Sequence, residues 1–250
     1  MRFEIKENTL TKYLPDAGDE TVAVPDGVVT IGCGAFSGVD QAISVILPDS
    51  VTCIDECAFE NCSGLKSVRI PESVASIGML AFNGCSALEE LTLPDTLGDI
   101  GPQAFYLCEN LKEINVPSAL KRIGKIYEKC AGLKSVTIPA GERKISDSAF
   151  MFCVNLSSVT IPDSVTEIGA MAFSGCTGLT DIRLPDSVVK IGYGAFQGCT
   201  GLKEITIPKS VTKMEQEIFD FCGEGLTIRA AKGSKAEKYA KAHGLRLAAE

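Results

Sequence analysis

The chain has little of what catalysis and nucleic-acid binding ordinarily require. Its 250 residues include no tryptophan and one histidine, His243, although histidine is the side chain that most often transfers protons near neutral pH. Acidic residues outnumber basic ones and give a formal net charge of −8, and no block of Lys and Arg offers a phosphate backbone a partner. These absences weigh against an enzyme, a cofactor-dependent protein and a nucleic-acid-binding protein.

Long apolar runs are also missing. No stretch approaches the roughly 20 apolar residues that span a bilayer, and the N-terminal "MRFEIKENTL" lacks the apolar core of a secretory signal. As written, the sequence therefore predicts a cytoplasmic or already trimmed monomer without membrane insertion. Its apolar content of 45% is enough for a sizeable core.

A repeat of 23 residues organises most of the chain. Every step between the repeated prolines is 23 residues except one of 22, which runs from Pro117 to Pro139. Because Phe and Cys keep the same period, we infer stacked units that bury their apolar sides against each other. The periodic residues are Pro25, Pro48, Pro71, Pro94, Pro117, Pro139, Pro162, Pro185 and Pro208, then Phe36, Phe59, Phe82, Phe105, Phe150, Phe173, Phe196 and Phe219, and finally Cys62, Cys85, Cys108, Cys130, Cys153, Cys176, Cys199 and Cys222.

One unit, "LSSVTIPDSVTEIGAMAFSGCTG", begins at Leu156 and shows the elements of each repeat. The alternating residues up to Ile161 predict a short strand, and Pro162 begins a turn. A second short extended piece ends at Ile168, and Ala172–Cys176 predicts a single inward-facing helical turn. Stacked units would place neighbouring strands about 4.8 Å apart in a parallel sheet.

The pattern LxxVxIPxSVxxIGxxAFxGC resembles the leucine-rich repeats of BspA-like bacterial surface proteins, over roughly Thr21–Arg229. This resemblance implies a repeat solenoid, a curved leucine-rich repeat stack of about nine units with a parallel β-sheet. It also implies a secreted or cell-surface protein that takes part in adhesion and contacts a protein or glycan without catalysis.

The ends of the chain predict caps, which an open solenoid needs. Residues 1–20 contain "FEIKENTLTKY", which alternates around Asn8 like a β-hairpin. Residues 230–250 contain a capping box of Ser234 and Glu237 that opens a helix running through Ala240 and ending at Gly244, followed by a last strand, "LRLAA". We expect caps and repeats (21–229) to form a single structural domain.

Three periodic features could suggest ligand chemistry, and each has a structural explanation. The segment around Gly192 has the spacing GxGxxxG rather than the nucleotide-binding GxGxxG, so we interpret it as a turn. Asp and Glu that follow the repeat prolines could hold calcium, but Pro-Asp is ordinary turn chemistry. A column of cysteines cannot place four sulfurs around one zinc ion, so we expect buried, reduced thiols. Cys33 and Cys57 are the pair that could be oxidised, and Cys53 is a candidate exposed thiol.

The exposed face of the main sheet is the candidate partner-binding face. Residues two and four positions before each proline should form adjacent columns opposite the core. Their hydroxyl-rich, mildly acidic character suggests a weak or multivalent contact with a protein or glycan, but the same residues also suit a soluble strand face. The candidates are Ser67, Arg69, Glu90, Thr92, Glu113, Asn115, Ser135, Thr137, Ser158, Thr160, Asp181, Arg183, Glu204 and Thr206.

One repeat departs from the pattern and is a secondary candidate site. "KIYEKC" replaces "AMAFSGC", so Ile126 or Tyr127 must fill the Phe position, and Glu142 stands where Val or Leu normally points inward. Tyr127, Glu142 and Arg143 could therefore lie close together. Drift in a redundant repeat also explains these departures, and it is the explanation that we favour. The alternative function is a catalytic module with an unrecognised site near this irregular repeat, 125–145.

Overall fold

The computed structural model describes residues 2–120 and 124–249, so Met1 and Glu250, the outermost residues of the two predicted caps, lie outside the described part of the chain. The described residues divide into two compact units, 2–120 with 126–133 and 124–125 with 134–249. The first unit contains β1 (Phe3–Lys6), β2 (Thr9–Tyr13), β3 (Thr21–Ala23), β4 (Thr30–Ile31), β5 (Ser44–Ile46), β6 (Cys53–Ile54), β7 (Ser67–Arg69), β8 (Ser76–Ile77), β9 (Glu90–Leu91), β10 (Asp99–Ile100) and β11 (Glu113–Ile114). The second contains β12 (Ser135–Thr137), β13 (Lys144–Ile145), β14 (Ser158–Thr160), β15 (Glu167–Ile168), β16 (Lys190–Ile191), β17 (Glu204–Ile207), β18 (Lys213–Met214), β19 (Thr227–Ala230), α1 (Lys235–Ala242) and β20 (Arg246–Ala249).

Parallel sheets with a constant register build the first unit. The main sheet has the order β11-β9-β7-β5-β3, and the second sheet has the order β10-β8-β6-β4-β2-β1. Strands pair with their equivalents one repeat away, so Val45 lies opposite both Val22 and Val68. β1 and β2 are antiparallel. Each three-residue strand buries its middle residue and turns its flanks outward, as Ser67, Val68 and Arg69 show.

The second unit repeats this arrangement. In the main sheet β12 pairs with β14. Further along the chain, a single parallel bridge joins Arg183 to Thr206 of β17. β17 then pairs with β19, and β19 pairs with β20. The second sheet has the order β13-β15-β16-β18. The fold is therefore the predicted parallel-sheet leucine-rich repeat solenoid, with one short helix described near the C-terminus. That both units fold as one cooperative domain stays a prediction.

The segments around each column Phe, which we call the turn side, differ from the predicted helical turn. We define the turn side as 33–38, 56–61, 79–84 and 102–107 in the first unit and 147–152, 170–175, 193–198 and 216–221 in the second. Two positions per segment have left-handed backbone, as Met171 (φ 53°) and Gly175 (φ 72°) do. Amides of these residues donate to the next repeat, Met171 to Tyr193 O at 2.8 Å and Gly175 to Gln197 O at 2.7 Å. The backbone hydrogen bonds between successive repeats therefore continue from the strands into the tight turns of the turn side, and we call this continuous series the inter-repeat ladder.

A column of aromatic rings fills the interior of each unit. The predicted burial of the periodic Phe is confirmed, because Phe82 and Phe105 in the first unit and Phe150, Phe173 and Phe196 in the second are all fully buried. Successive rings stack, with centroids 4.9 Å apart for Phe59 and Phe82 and 5.5 Å apart for Phe82 and Phe105. The repeat therefore buries a continuous apolar column in each unit.

Thiol and hydroxyl groups link neighbouring repeats through backbone carbonyls. The Cys85 thiol donates to Phe59 O at 3.1 Å, and the same contact recurs at Cys62, Cys108, Cys130, Cys176, Cys199 and Cys222. In the proline turn, Ser73 donates to Val51 O at 2.6 Å and Ser187 to Val165 O at 2.6 Å. These buried or half-buried donors explain why Cys and Ser recur, because each satisfies a carbonyl of the preceding repeat.

Both predicted caps are present. Glu7 and Asn8 take left-handed conformations (φ 45° and 64°) and join β1 to β2 as a hairpin. At the other end, Ser234 is the N-cap of α1 and accepts a hydrogen bond from Glu237 N at 3.1 Å, while Glu237 accepts from Gly233 N at 2.6 Å. The helix ends at Ala242, and β20 follows as the predicted last strand.

The ring column predicts a large effect of truncation at Phe82. Phe82→Ala removes a fully buried ring and leaves a cavity, so we expect a loss of about 3–5 kcal/mol in the free energy of unfolding. Urea denaturation followed by circular dichroism measures this loss. Phe221→Ala is the control, because that side chain is 80% exposed and its removal should change stability by less than about 0.5 kcal/mol. Equal effects of the two variants would contradict the role of the column.

Candidate functional site

The predicted partner-binding residues lie on the outer side of the main sheet, which we call the sheet face. Three of them, Ser67, Glu204 and Thr206, are half-buried, and the others are exposed. The inward Val, Ile or Leu of each strand points to the opposite side, where all are buried except Val159, which is half-buried. The exposed members are Arg69, Glu90, Thr92, Glu113 and Asn115 in the first unit and Ser135, Thr137, Ser158, Thr160, Asp181 and Arg183 in the second.

In the first unit the sheet face carries ordered polar side chains. Glu90 lies opposite both Ser67 and Glu113 in the parallel register, so two like charges are adjacent on the face. Arg69 forms an ion pair with the Asp49 carboxylate at 3.4 Å. The Asn115 side-chain amide donates to the carbonyl of Leu93 at 2.7 Å and accepts from the N–H of Leu93 at 2.8 Å. These two hydrogen bonds take the place of backbone pairing between the two repeats.

In the second unit hydroxyl groups and one ion pair dominate the sheet face. Ser135 and Thr137 of β12 lie opposite Ser158 and Thr160 of β14. At the far edge, the Glu204 carboxylate pairs with Arg229 Nε at 2.5 Å, and this contact lowers the pKa of Glu204. The face therefore offers hydroxyl and carboxylate groups at a regular spacing. Such a face can donate and accept many weak hydrogen bonds, but it carries no aromatic anchor.

The irregular repeat does not expose Tyr127. This side chain is fully buried and continues the ring column, 5.8 Å from Phe105, and burial raises the pKa of its hydroxyl. Tyr127 therefore fills the Phe position, as the sequence allowed. In the second unit Glu142 is half-buried, with its pKa raised by desolvation, and Arg143 is exposed. The proposal that the three residues form a site stays untested.

The other sequence candidates have structural roles. A Cβ at Gly192 would lie 2.7 Å from Ala170 N, so the glycine is needed for close approach of the preceding repeat. His243 is the C-cap of α1, and its ring stacks on Tyr239 at 4.0 Å. Among residues 2–120 and 124–249, no cluster of three or more His, Cys, Asp or Glu could hold a metal ion.

The cysteine column is buried as predicted. Cys85, Cys108, Cys153, Cys176 and Cys199 are inaccessible, and all eleven cysteines are unbridged in the structure. Outside the column, Cys33 is exposed, whereas Cys53 and Cys57 are half-buried. The prediction that Cys53 is the exposed thiol is therefore wrong, because Cys33 is the exposed one.

The structure has two features that were not predicted from the sequence. The turn side of the second unit exposes Phe152, Tyr193 and Phe221 to different degrees, and these residues fall at positions that other repeats fill with unrelated side chains. The hydrogen bonds that Ser hydroxyls donate to the preceding repeat in the proline turns were not predicted, although Ser recurs two residues after the proline at Ser50, Ser73, Ser164, Ser187 and Ser210.

The repeat length, parallel sheets and buried column define a leucine-rich repeat solenoid. The chain matches the BspA type Leucine rich repeat region, with 6 copies over residues 19–127 and 124–236, and it belongs to that family. Several solved structures are similar, including the two that follow. A leucine-rich repeat protein from Bacteroides ovatus is 29% identical over 91% of this chain and 68% of that chain, with a TM-score of 0.71. The T. pallidum leucine rich repeat protein is 30% identical over 71% of this chain and 86% of that chain, with a TM-score of 0.65.

No curated protein matches the chain. The family and these two structures are repeat scaffolds, the kind of protein that generally mediates interaction rather than catalysis. Within the described residues, no helix has both the length and the apolar character to cross a bilayer.

The cysteine environments predict a defined order of alkylation. Partial burial, together with Glu60, raises the pKa of Cys57 to about 11, and thiolate is the reactive form. At pH 8 iodoacetamide should therefore label exposed Cys33 before Cys57, and the Cys57 rate should increase as the pH rises toward 11. The buried column thiols should react with iodoacetamide only after the protein is unfolded. In the unfolded protein, most of the eleven cysteines should be labelled without added reductant, because they are not in disulfides. Peptide mass spectrometry measures each rate, and native labelling of Cys108 as fast as that of Cys33 would contradict the burial.

The half-buried Glu142 predicts a pH-dependent stability. Equivalent positions hold Val165, Val188 and Val211, which are buried, so Glu142→Val should stabilise the protein by about 1 kcal/mol at pH 7. Because the folded-state pKa of Glu142 is raised, wild-type folding takes up a proton, and stability falls as the pH rises through that pKa. The advantage of Glu142→Val should therefore narrow below about pH 4.

Thermal unfolding of wild type, Glu142→Val and Glu142→Gln over this pH range tests the explanation. Glu142→Gln keeps the side-chain shape and removes the charge, so its stability should lose the pH dependence that belongs to Glu142. A constant difference between wild type and Glu142→Val at every pH would show that the charge at position 142 is not responsible.

Proposed function

We propose that this chain is a non-enzymatic interaction scaffold that binds a protein or glycan through the sheet face. The observation that carries the proposal is the double column of exposed side chains at one-repeat spacing. Strand pairing uses the backbone, and core packing uses the buried residue of each strand, so most of these side chains are available to a partner. An extended ligand could then bind several repeats at once.

The charge of the sheet face indicates the type of partner. Glu90 and Glu113 lie side by side in the first unit without an ion-pair partner among the described residues, and Asp181 is likewise exposed in the second unit. A basic protein surface would therefore be attracted, with an affinity that decreases as salt increases. Hydroxyl groups of Thr92, Thr137 and their equivalents suit a glycan as well, through hydrogen bonds that are individually weak.

The family resemblance extends this proposal to adhesion at a bacterial cell surface or after secretion. A stack of similar binding units suits adhesion, since many weak contacts together give a large avidity. The alternative, a catalytic module at residues 125–145, gains no support from Tyr127, which is buried in the ring column.

The proposal predicts that charge reversal on the sheet face weakens partner binding. An array of glycans and of secreted and matrix proteins is probed with wild type and with the triple variant Glu90→Lys, Glu113→Lys, Asp181→Lys. A genuine partner should bind the variant at least about tenfold more weakly, because attraction is replaced by repulsion.

The matched control changes the same charge elsewhere. Asp95→Lys, Asp163→Lys, Asp186→Lys alters exposed proline-turn carboxylates, and Lys209 already occupies the equivalent position in another repeat. This control should bind like wild type. A saturable partner that binds the sheet-face variant and wild type equally well would refute the sheet face as the binding site.

A further inference from the structure

Four aromatic side chains stand outside the internal columns. All other Phe and Tyr rings pack against one another in series within the two units, from Phe3 to Tyr127 in the first and from Phe150 to Tyr239 in the second. The remaining four all lie on the turn side, whereas the sheet face has none. Aromatic side chains concentrate binding energy at interfaces, so the turn side is a second candidate surface. The four are Tyr106, Phe152, Tyr193 and Phe221.

Phe152 and Phe221 occupy positions that disfavour large side chains. Both have left-handed backbone, with φ of 59° and 60°, a conformation that costs a residue with a Cβ about 1–2 kcal/mol. Burial does not compensate at Phe221, which is 80% exposed, and Phe152 is 44% exposed. Five other repeats place Gly or Asn at this position, and two others place Leu107 (φ 58°) and Lys129 (φ 59°) there. Larger side chains are therefore tolerated, but neither the local conformation nor core packing favours an aromatic ring. The equivalent Gly and Asn are Gly38, Asn61, Gly84, Gly175 and Gly198.

Phe152 and Phe221 lie at the two ends of a row of two glycines, Gly175 and Gly198, and we call this row together with its two aromatic residues the notch. Phe152, Gly175, Gly198 and Phe221 occupy one column on consecutive repeats, so the two Phe backbones are about 14 Å apart. The Phe152 ring lies across Gly175, where a Cβ would be 2.4 Å from Cδ1. A Cβ at Gly198 would meet no atom nearer than 3.7 Å. Gly198 is therefore left open between the rings.

Carboxylates adjoin the notch. Glu217 accepts hydrogen bonds from the hydroxyl of Tyr193 and from Gln197 Nε2, the latter at 3.2 Å. The Asp220 carbonyl accepts from Gly198 N at 2.8 Å. The pKa of Tyr193 is raised by its hydrogen bond to Glu217, by desolvation, and by the charges of Glu217 and Asp220. The turn-side segments of the second unit contain no Lys or Arg. Among the described residues, neither Glu217 nor Asp220 forms an ion pair.

We propose that the notch formed by Phe152, Gly198 and Phe221, with Glu217 and Asp220 beside it, binds an arginine side chain from a basic segment of a partner protein. A guanidinium group is planar, so it can stack on an aromatic face and donate to a carboxylate at the same time. A Lys ammonium matches the charge without the planar stacking. This surface is separate from the sheet face, so it would give the scaffold a second, anchored contact.

A peptide titration tests this proposal with the full chain. Backbone amide NMR spectra are recorded while a hexa-arginine peptide with blocked termini is added. We expect saturable shifts of the amide signals of Phe152, Gly198 and Phe221. Phe152→Asn with Phe221→Asn should weaken this binding about tenfold, since both stacking faces are lost. Asn61 shows that Asn is accepted at this position, so the variant should keep the wild-type unfolding midpoint.

Matched variants separate the notch from general acidity. Leu107→Asn makes the same kind of change at the equivalent position of the first unit (φ 58°) and should leave hexa-arginine binding unchanged. The Glu217→Gln, Asp220→Asn double variant should weaken binding several-fold, and hexa-lysine should bind wild type more weakly than hexa-arginine. The triple charge variant of the sheet face should retain the site-specific shifts, so failure of one proposal would not imply failure of the other.

Three results would overturn the arginine site. The first is equal binding of hexa-arginine by wild type and the double Asn variant, which would indicate non-specific attraction to an acidic protein. The second is a shift of the same amides by maltohexaose but not by hexa-arginine, which would indicate a glycan site. The third is a concentration dependence of these signals without peptide that disappears in the double Asn variant, which would indicate self-association.

Discussion

Hydrogen bonding from each repeat to the next is the constraint on which the structure depends. A repeat of 23 residues is too short to pair all of its own backbone N–H and C=O groups. Amides on the strands and on the turn side therefore donate hydrogen bonds to a neighbouring repeat. The thiol of Cys85 and the hydroxyl of Ser73 add side-chain donors to this ladder. Any change of register would misalign all of these donors together, which explains why one length recurs so strictly.

Because backbone hydrogen bonds and buried side chains hold the repeats together, many of the outward side chains are free to bind a partner. Backbone groups hold the repeats together and one apolar residue per strand fills the core, so outward side chains of the sheet face can vary at little cost in stability. Different side chains can then occupy the same position in successive repeats, as Arg69, Thr92 and Asn115 show. A solenoid can in this way carry an extended weak contact on one side and an aromatic notch on another.

The sequence predicted the features that repeat in register and missed those that depend on backbone conformation. The periods of Pro, Phe and Cys predicted the sheets, the ring columns and the buried thiols, and Asn8 and Ser234 located the caps. The predicted helical turn became a run of tight turns, because Ala172, Phe173 and Cys176 have helical spacing whereas positive φ values at residues such as Met171 leave no compositional trace. The sheet-face columns followed from alternation, but the notch needed the stacking order of Phe152, Gly198 and Phe221, which alternation does not reveal.

Amide hydrogen exchange tests the dependence on inter-repeat hydrogen bonds most directly. If the ladder continues around the turn side, the amides of Phe59, Phe82 and Phe173, which donate to the next repeat at 2.7–2.8 Å, should exchange as slowly as the strand amides of Val45 and Val68. The account would be contradicted if turn-side amides exchanged as fast as those of an exposed loop while strand amides stayed protected. That result would show that the strand pairing alone, without the turn-side hydrogen bonds, holds the repeats together.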